Sequence, residues 1–261
     1  MTQSLKQTGA KVITIANQKG GVGKTSSVIQ ISSGLAKRGQ KVLAIDGDPQ
    51  GNLSLFFGTD DKKDICQLLR SILAGDPIKL ADYIHRHSRR NLDVLPASNK
   101  NMRMELPDAE IMRTYAAFAR FIDSIKPKYD WIIIDSSPSN SPLERLLIRA
   151  SDAVIIPLEF QLFSVAGLEA IIEEVENCTK ESGKEIKIHS LIFTKAENRL
   201  NRVQTYREVF SSFHIPIFEV CKSEYIVRSL EKSRTIWECG PASFAARDYA
   251  RVIDRAFMET T

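Results

Sequence analysis

The feature that most constrains the fold is a glycine-rich segment that joins an apolar run to a helical pattern. Lys11 to Ala16 (KVITIA) predicts a buried strand, and Ser26 to Lys37 predicts a helix with one apolar face. Between them lies Lys19 to Thr25 (KGGVGKT). Glycines let backbone N–H groups turn inward, and the following helix N-terminus adds partial positive charge there. The segment therefore predicts a phosphate-binding loop in a strand–loop–helix unit.

The polar residues of this loop suit a nucleotide with Mg²⁺. A lysine at position 24 places positive charge against the β- and γ-phosphates, and the hydroxyl of Thr25 suits Mg²⁺. The general spacing of such loops requires glycine at position 18, where this chain has Gln18. Its lysine and threonine nevertheless predict a nucleotide bound together with Mg²⁺. The residues predicted to bind the nucleotide in this loop are Lys19, Gly20, Gly21, Val22, Gly23, Lys24, Thr25 and Ser26.

Apolar, β-branched runs alternate with helical patterns along the rest of the chain. Strands that are apolar on both faces and alternate with helices are typical of a parallel sheet covered on both sides. The predicted fold class is therefore α/β, with a doubly wound, mostly parallel sheet and helices on both faces. We expect a flexible N-terminus over residues 1–10 and a single domain over 11–261. The further strands are predicted at Lys41 to Ile45, Asn91 to Leu95, Asp130 to Ile134, Ala153 to Ile156 and Ile186 to Phe193, and the main helices at Ala109 to Ile125, Val165 to Lys180 and Ala242 to Met258.

Carboxylates follow two of these predicted strands. Asp46 and Asp48 lie in the segment DGDPQGN after the second strand, and Asp135 ends the apolar run WIIID. The carboxyl ends of strands in such sheets form the ligand crevice. We therefore expect Asp135 to hold Mg²⁺ directly or through water, and Asp46 and Asp48 to lie at the ligand crevice.

Composition and charge leave several classes of partner open. The chain has 261 residues, is 43% hydrophobic and carries a net charge of +4, which permits a polyanionic partner without requiring one. Its four scattered cysteines are typical of reduced thiols in a cytosolic protein. No apolar run approaches the roughly 20 residues of a membrane span, so we expect a cytoplasmic protein without stable membrane association. The basic segment from His85 to Arg90 is interpreted as a solvated loop, with a partner or DNA contact as the alternative.

The loop KGGVGKT resembles the deviant Walker A motif of the ParA/MinD superfamily, which includes partition ATPases, division-site ATPases and the nitrogenase iron protein. The resemblance implies that Lys19 is the signature lysine, which reaches across a nucleotide sandwich dimer to the partner's phosphates. It implies that Asp48 positions or activates the attacking water, and that the strand ending at Thr194 approaches the nucleotide. The implied catalytic residues are Lys19, Lys24 and Asp48, and the implied metal site is Thr25, Asp135 and Asp46.

The DPQGN segment favours the partition branch, and no cysteine follows Asp135 as an iron–sulfur protein would need. The implied function is an ATPase that dimerises on ATP, binds non-specific duplex DNA on the nucleoid, responds to a ParB-type adaptor and hydrolyses ATP to reset. Two alternatives remain: a MinD-like or other cargo-positioning ATPase on a membrane or protein scaffold, and a non-hydrolysing ATP sensor. The implied DNA contacts are Arg199, Arg202, Lys222, Arg228, Lys232 and Arg234.

Overall fold

The computed structural model describes residues 9–59, 63–97, 108–139, 141–161, 164–196 and 207–259. Within these residues one eight-stranded sheet has the strand order β3-β4-β2-β5-β1-β6-β7-β8. Every neighbouring pair is parallel except the edge pair β3 and β4, which is antiparallel. The strands are β1 (Lys11–Ile15), β2 (Val42–Gly47), β3 (His85–Arg86), β4 (Leu92–Leu95), β5 (Trp131–Ser136), β6 (Ala153–Leu158), β7 (Lys187–Ala196) and β8 (Ile217–Cys221).

Helices cover both faces of this sheet. The described helices are α1 (Lys24–Lys37), α2 (Asn52–Phe57), α3 (Ile65–Ala74), α4 (Leu80–Tyr83), α5 (Asp108–Ile125), α6 (Pro142–Ala150), α7 (Ser164–Ser182), α8 (Glu224–Glu231), α9 (Ile236–Cys239) and α10 (Phe244–Ile253), with a short helical segment at 207–211. On one face α1, α2 and α10 pack on the central strands, and on the other face α3, α5, α6 and α7 do so. A π-helical turn, Asp254–Met258, extends α10.

The central strands are buried on both faces because alternate residues enter opposite cores. Ile13 of β1 and Ile133 of β5 pack in the core beneath α1 and α10. Val12 and Ile132, one position earlier, pack in the core beneath α5 and α6. Successive side chains of a strand point to opposite faces, so an uninterrupted apolar run is required where both faces are covered. The predicted α/β fold with a doubly wound, mostly parallel sheet is therefore confirmed.

Two edge strands were not predicted from the sequence. One is the last strand, β8, because its sequence IFEVC lacks a continuous apolar run. The other is β3, which takes His85 and Arg86 from the predicted solvated loop; the rest of that segment, to Arg90, is a turn in which alternate residues are exposed. The predicted domain boundary at residue 11 remains an expectation, and residues 1–8 lie outside the described part of the chain.

Arg89 anchors the turn after β3 to the body of the protein. Its guanidinium donates to Glu238 Oε2 at 2.9 Å and lies 5.9 Å from the ring centroids of both Phe56 and Phe57. Its backbone amide donates to Nδ1 of His87 at 2.9 Å. The turn is thereby held against α2 and α9.

His87 should make the stability of this turn depend on pH. Burial, with the charges of Arg89 and His85, lowers the pKa of His87 to about 4. The unfolded chain binds this proton below about pH 6.5, so the free energy of unfolding should fall as the pH drops from 6.5 to 4. His87→Asn keeps an acceptor for the Arg89 amide and should flatten that decline. Urea unfolding at several pH values measures this pH dependence of the free energy of unfolding. The same substitution at the exposed His214 is the control and should leave the pH dependence as it is in the wild type. An equal effect of both variants contradicts the prediction.

Candidate functional site

The phosphate loop runs from the end of β1 to the start of α1. Gly23 caps α1 in the left-handed region, with φ of 87°. A Cβ at this position would lie 3.3 Å from Cγ2 of Thr194, so both the backbone conformation and the space favour glycine. Gly20 and Gly21 are exposed at the rim of the loop. The first turn of α1, with Thr25 and Ser26, opens directly at the loop, as the strand–loop–helix pattern predicted.

Lys24 lies folded into the loop. Its side chain is buried, and Nζ donates to the carbonyl oxygens of Asn17 at 2.8 Å and Lys19 at 3.0 Å. Burial lowers the pKa of this ammonium, while the carboxyls of Asp135 and Glu144 act in the opposite direction. The lysine is therefore held with its charge at the phosphate loop and close to the carboxylates that end β2 and β5.

Strand register brings two of those carboxylates side by side. Asp46 of β2 is the direct neighbour of Asp135 of β5. Gly47 follows Asp46, and a Cβ there would stand 2.2 Å from Cδ1 of Leu147 and 2.6 Å from the carbonyl oxygen of Asp135. Only glycine fits this approach, so the glycine of the DGD segment keeps the ends of β2 and β5 together.

Both oxygens of Asp46 accept hydrogen bonds from protein groups. Its Oδ1 accepts from the amide of Asp48 at 3.1 Å, and its Oδ2 accepts from the amide and hydroxyl of Ser54 at 2.8 and 2.6 Å. The carboxylate thus holds the turn after β2 and the first turn of α2. A second lone pair remains on Oδ1, so the metal role of Asp46 stays a prediction.

Asp135 differs from Asp46 in its hydrogen bonding. It is fully buried, and neither carboxylate oxygen has a hydrogen-bond partner in the described part of the chain. Burial and the nearby Asp46 raise its pKa well above the usual range, while the approach of the Thr25 hydroxyl, short of hydrogen-bond geometry, favours the charged form. A buried carboxylate without partners is costly unless a cation completes it. The oxygen donors of Asp135 and Thr25 suit Mg²⁺, which typically takes one or two carboxylates and fills its other positions with phosphates and water.

Asp48 lies two residues after Asp46, in the turn that follows β2. It is buried, its amide donates to Asp46, and its Oδ1 accepts from the amide of Gln50 at 2.9 Å. This short-range hydrogen bond orients the carboxyl group within the turn. Its role in preparing a water molecule stays a prediction.

A chain of polar contacts crosses the rim of the phosphate loop. Nζ of Lys19 donates to Oε1 of Gln161, and Nε2 of Gln161 donates to Oε2 of Glu159, each at 2.5 Å. Nζ of Lys195 donates to Oε1 of Glu159 at 2.5 Å and to the carbonyl of Gly21 at 2.9 Å. Lys19 is exposed, so its charge is available to a neighbouring molecule.

Sequence reasoning missed most of this chain of contacts. Gln161, Glu159 and Lys195 come together only through the neighbouring ends of β6 and β7. No pattern in the sequence links these residues; Lys195 also has a φ of 54°, which is uncommon for a residue other than glycine. The predicted nucleotide residue Thr194 lies beside it. Its hydroxyl is 2.9 Å from the carbonyl oxygen of Val22 and 3.2 Å from that of Leu158, so it supports the loop from behind.

Glu144 of α6 is a further titratable group that the sequence did not reveal. It is buried, and Oε1 accepts from the hydroxyl of Ser136 at 3.3 Å. Burial raises its pKa to about 8, although the Ser136 hydrogen bond and the charge of Lys24 favour ionisation. It therefore helps to set the charge balance around Lys24 from the helix side of the site.

The predicted DNA contacts fall into two groups. Lys222, Arg228, Lys232 and Arg234 are exposed on one stretch that follows β8, and Arg228 also pairs with Glu224 at 3.3 Å on the same helix. The remaining two, Arg199 and Arg202, lie outside the described residues. Because β8 is parallel to the strands of the nucleotide site, this stretch begins at the same edge of the sheet as the phosphate loop.

Comparison with known proteins agrees with this geometry. A family model described as an AAA domain, AAA_31, matches residues 10–188. The chain is 32% identical over 210 residues to the sporulation initiation inhibitor protein Soj of Bacillus subtilis, covering 80% of this chain and 82% of Soj. It is 30% identical over 217 residues to the chromosome partitioning protein ParA of Myxococcus xanthus, covering 82% and 75%.

A solved structure shows the same fold. The septum site-determining protein MinD of Pyrococcus horikoshii, complexed with Mg-ADP, superposes with a TM-score of 0.74 at 21% identity, over 96% of this chain and 97% of MinD. No helix in the described part of this chain is long and apolar enough to cross a membrane. With the phosphate loop, the buried Asp135 and these relatives taken together, the chain belongs to the ParA/MinD-type P-loop ATPases, which bind ATP with Mg²⁺ and hydrolyse it.

Proposed function

We propose that this ATPase is a partition protein that dimerises on ATP, binds duplex DNA without sequence preference and releases it after hydrolysis. The observation that carries the proposal is the row of exposed cations at Lys222, Arg228, Lys232 and Arg234, which begins at the edge of the sheet where ATP binds. Cations on phosphates supply sequence-independent affinity for DNA. The similarity to Soj and to a chromosome partitioning ParA supports the same branch.

Each residue of the site has a separate role in binding or hydrolysing ATP. Lys24 and the loop amides bind the phosphates, and Thr25 and Asp135 hold Mg²⁺, which neutralises developing charge on the phosphates when bound. Asp48 orients the attacking water. Lys19, exposed on the rim, completes the site of the partner subunit, where a cation in trans stabilises the transferring phosphoryl group.

ATP shifts the equilibrium from the monomer to the DNA-binding dimer because it contacts both subunits only in the dimer. A ligand shifts an equilibrium only through such a difference in affinity. Dimerisation doubles the row of cations presented to one duplex, and hydrolysis removes the γ-phosphate contacts that hold the subunits together. A ParB-type adaptor that accelerates hydrolysis would then control release from the nucleoid.

Binding to a short non-specific duplex at low salt, with ATP, ADP or no nucleotide, tests the proposal. We expect binding only with ATP and a steep loss of affinity as salt rises. The double variant Arg228→Gln, Lys232→Gln should weaken DNA binding. The control double variant Arg120→Gln, Lys180→Gln removes the same charges from exposed helix positions elsewhere and should weaken it less. Absence of DNA binding despite ATP-dependent dimerisation contradicts the proposal. Binding to anionic vesicles instead favours the MinD-like alternative.

Asp48→Ala should separate binding from hydrolysis. The variant keeps Lys24, Thr25 and Asp135, so it should bind ATP, dimerise and remain on DNA, while turnover falls by about 100-fold or more through loss of the group that prepares water. The turn after β2 is retained through the amide contact of residue 48 with Asp46. Phosphate release and DNA residence time are the measurements. Normal turnover removes Asp48 from the mechanism, and no turnover in the wild type favours the ATP-sensor alternative.

A further inference from the structure

The edge of the sheet opposite the nucleotide site carries a cavity lined by basic residues. Strands β2, β4 and β5 are parallel, so their N-terminal ends lie together at this edge. Lys41 precedes β2 and Lys128 lies shortly before β5. Arg86 of β3 lies beside them, and the three line a cavity of about 1030 Å³.

A second cavity continues the first. It measures about 780 Å³, shares Lys41 and Asn91 with its neighbour, and adds Lys37 and Arg90 to the lining. The two cavities therefore form one extended groove rather than a pocket for a single small anion. We name it the basic groove, defined by Lys37, Lys41, Arg86, Arg90 and Lys128.

The cations of the basic groove lack ion-pair partners. All five are exposed, and none forms an ion pair within the described ranges, in contrast to nearby Arg38, which pairs with Asp254 at 2.9 Å. Two carboxylates lie close to the groove: Asp93 accepts from the Tyr129 hydroxyl at 2.9 Å and Asp130 from the Lys41 amide at 2.7 Å, while Glu238 is paired with Arg89. Hydrogen bonds from neutral donors leave Asp93 and Asp130 charged, so five cations face two carboxylates and the groove keeps a net positive charge.

The backbone presents these cations on a rigid frame. Asn91 takes a left-handed conformation with φ of 64° and its carbonyl accepts from the amide of Val42 at 2.9 Å. The amide of His87 donates to the carbonyl of Leu92 at 3.0 Å, which closes the turn. Together with the anchor at Arg89, these contacts fix the backbone that carries Arg86 and Arg90, so only their side chains lose freedom when a ligand binds.

The character of the groove selects the kind of anion. Apolar and aromatic residues line the floor of the groove, where they are buried or half-buried, so its exposed charged side chains are the cations; these apolar residues are Leu80, Ile84, Leu92, Tyr129 and Trp237. A protein interface needs apolar or aromatic anchors at its centre, and a membrane surface needs apolar insertion. A phosphate backbone needs only a succession of cations.

We propose that the basic groove is a second phosphate-backbone site for duplex DNA, separate from the cations that follow β8. Strands of five to six residues, each rising about 3.3 Å, separate it by roughly 15–20 Å from the nucleotide edge, so it stays open when two subunits face each other across ATP. The proposal rests on the proposed DNA-binding function and adds a contact at each far end of the dimer.

Neutralising the groove tests the proposal. The variant Lys41→Gln, Arg86→Gln and Lys128→Gln removes two lysines and one arginine from exposed positions, and its control, Arg120→Gln, Lys180→Gln and Lys187→Gln, removes the same set elsewhere. With ATP, the groove variant should lose about tenfold or more in affinity for a 40-base-pair duplex at moderate salt, and its log–log salt slope should flatten by about 2 to 3. Its ATPase rate without DNA and its dimerisation should equal those of the wild type.

Each outcome has a distinct meaning. A groove variant whose affinity and salt slope match those of the control overturns the proposal, while loss of binding in the Arg228→Gln and Lys232→Gln variant still supports the proposed function. Unchanged duplex affinity with lost binding of poly-L-glutamate assigns the groove to an acidic protein and also overturns the DNA assignment. Wild-type protein that binds no duplex in any nucleotide state overturns both proposals.

Discussion

Replacing Asp135 with asparagine should abolish Mg²⁺-dependent ATP hydrolysis and, at the same time, stabilise the nucleotide-free fold. The carboxylate is fully buried with no hydrogen-bond partner in the described structure, and burial together with Asp46 raises its pKa. Neutralising such a group should raise the free energy of unfolding by about 1 to 3 kcal/mol. Loss of the metal ligand should lower turnover by about a thousandfold or more, since the metal supplies several kcal/mol to the transition state.

Two measurements on the same preparation check this prediction. Urea unfolding without nucleotide gives the stability, and thermal unfolding with and without Mg-ATP shows whether the ligand still stabilises the fold. The control is Asp123→Asn, which neutralises an exposed carboxylate on α5 and should leave both quantities unchanged. An Asp135→Asn variant that is less stable than the wild type, or that retains turnover, contradicts the assignment of Asp135 as an uncompensated metal ligand.

Asp135 could be predicted from sequence because its position follows from a local pattern. An apolar strand ending in a carboxylate places that group at the ligand edge of any parallel sheet. The hydrogen bonds of Asp46 could not be predicted in the same way, since its Oδ2 meets the amide and hydroxyl of Ser54 only when the chain folds back through the turn after β2. Within the described residues, the same residue type at a strand end therefore lacks a hydrogen-bond partner in one case and holds the backbone in the other.

The remaining differences arise from tertiary contacts. The segment from His85 to Arg90 is hydrophilic, and its pattern indicated exposure; Arg89 nevertheless lies against Phe56 and Phe57 and pairs with Glu238. Lys41, Arg86 and Lys128 are far apart in sequence and meet only because parallel strands align their N-terminal ends. Spacing along the chain holds no information about such an edge until the strand order is known.

Lys19→Gln should abolish both ATP-dependent dimerisation and turnover while leaving nucleotide binding partly intact. The side chain is exposed, and its contact with Gln161 at 2.5 Å is on the surface, so its removal should not weaken the fold. A cation supplied in trans to a transferring phosphoryl group contributes on the order of a thousandfold or more. Sedimentation with ATP and phosphate release are the measurements. Lys180→Gln, at another exposed lysine, should behave as the wild type, and an undisturbed dimer of Lys19→Gln refutes the role in trans.

Mixing two inactive variants separates action in trans from action within one subunit. In a mixed dimer of Lys19→Gln and Asp48→Ala, one site combines an intact Asp48 with the intact Lys19 of the other subunit. If Lys19 acts in trans, an equimolar mixture should recover part of wild-type turnover, at most about half, because each mixed dimer keeps one of the two Lys19 contacts and has one complete site. If Lys19 acts within its own subunit, neither site is complete and the mixture stays inactive. Recovery that scales with the mixed dimer would therefore place the lysine of one subunit in the active site of the other.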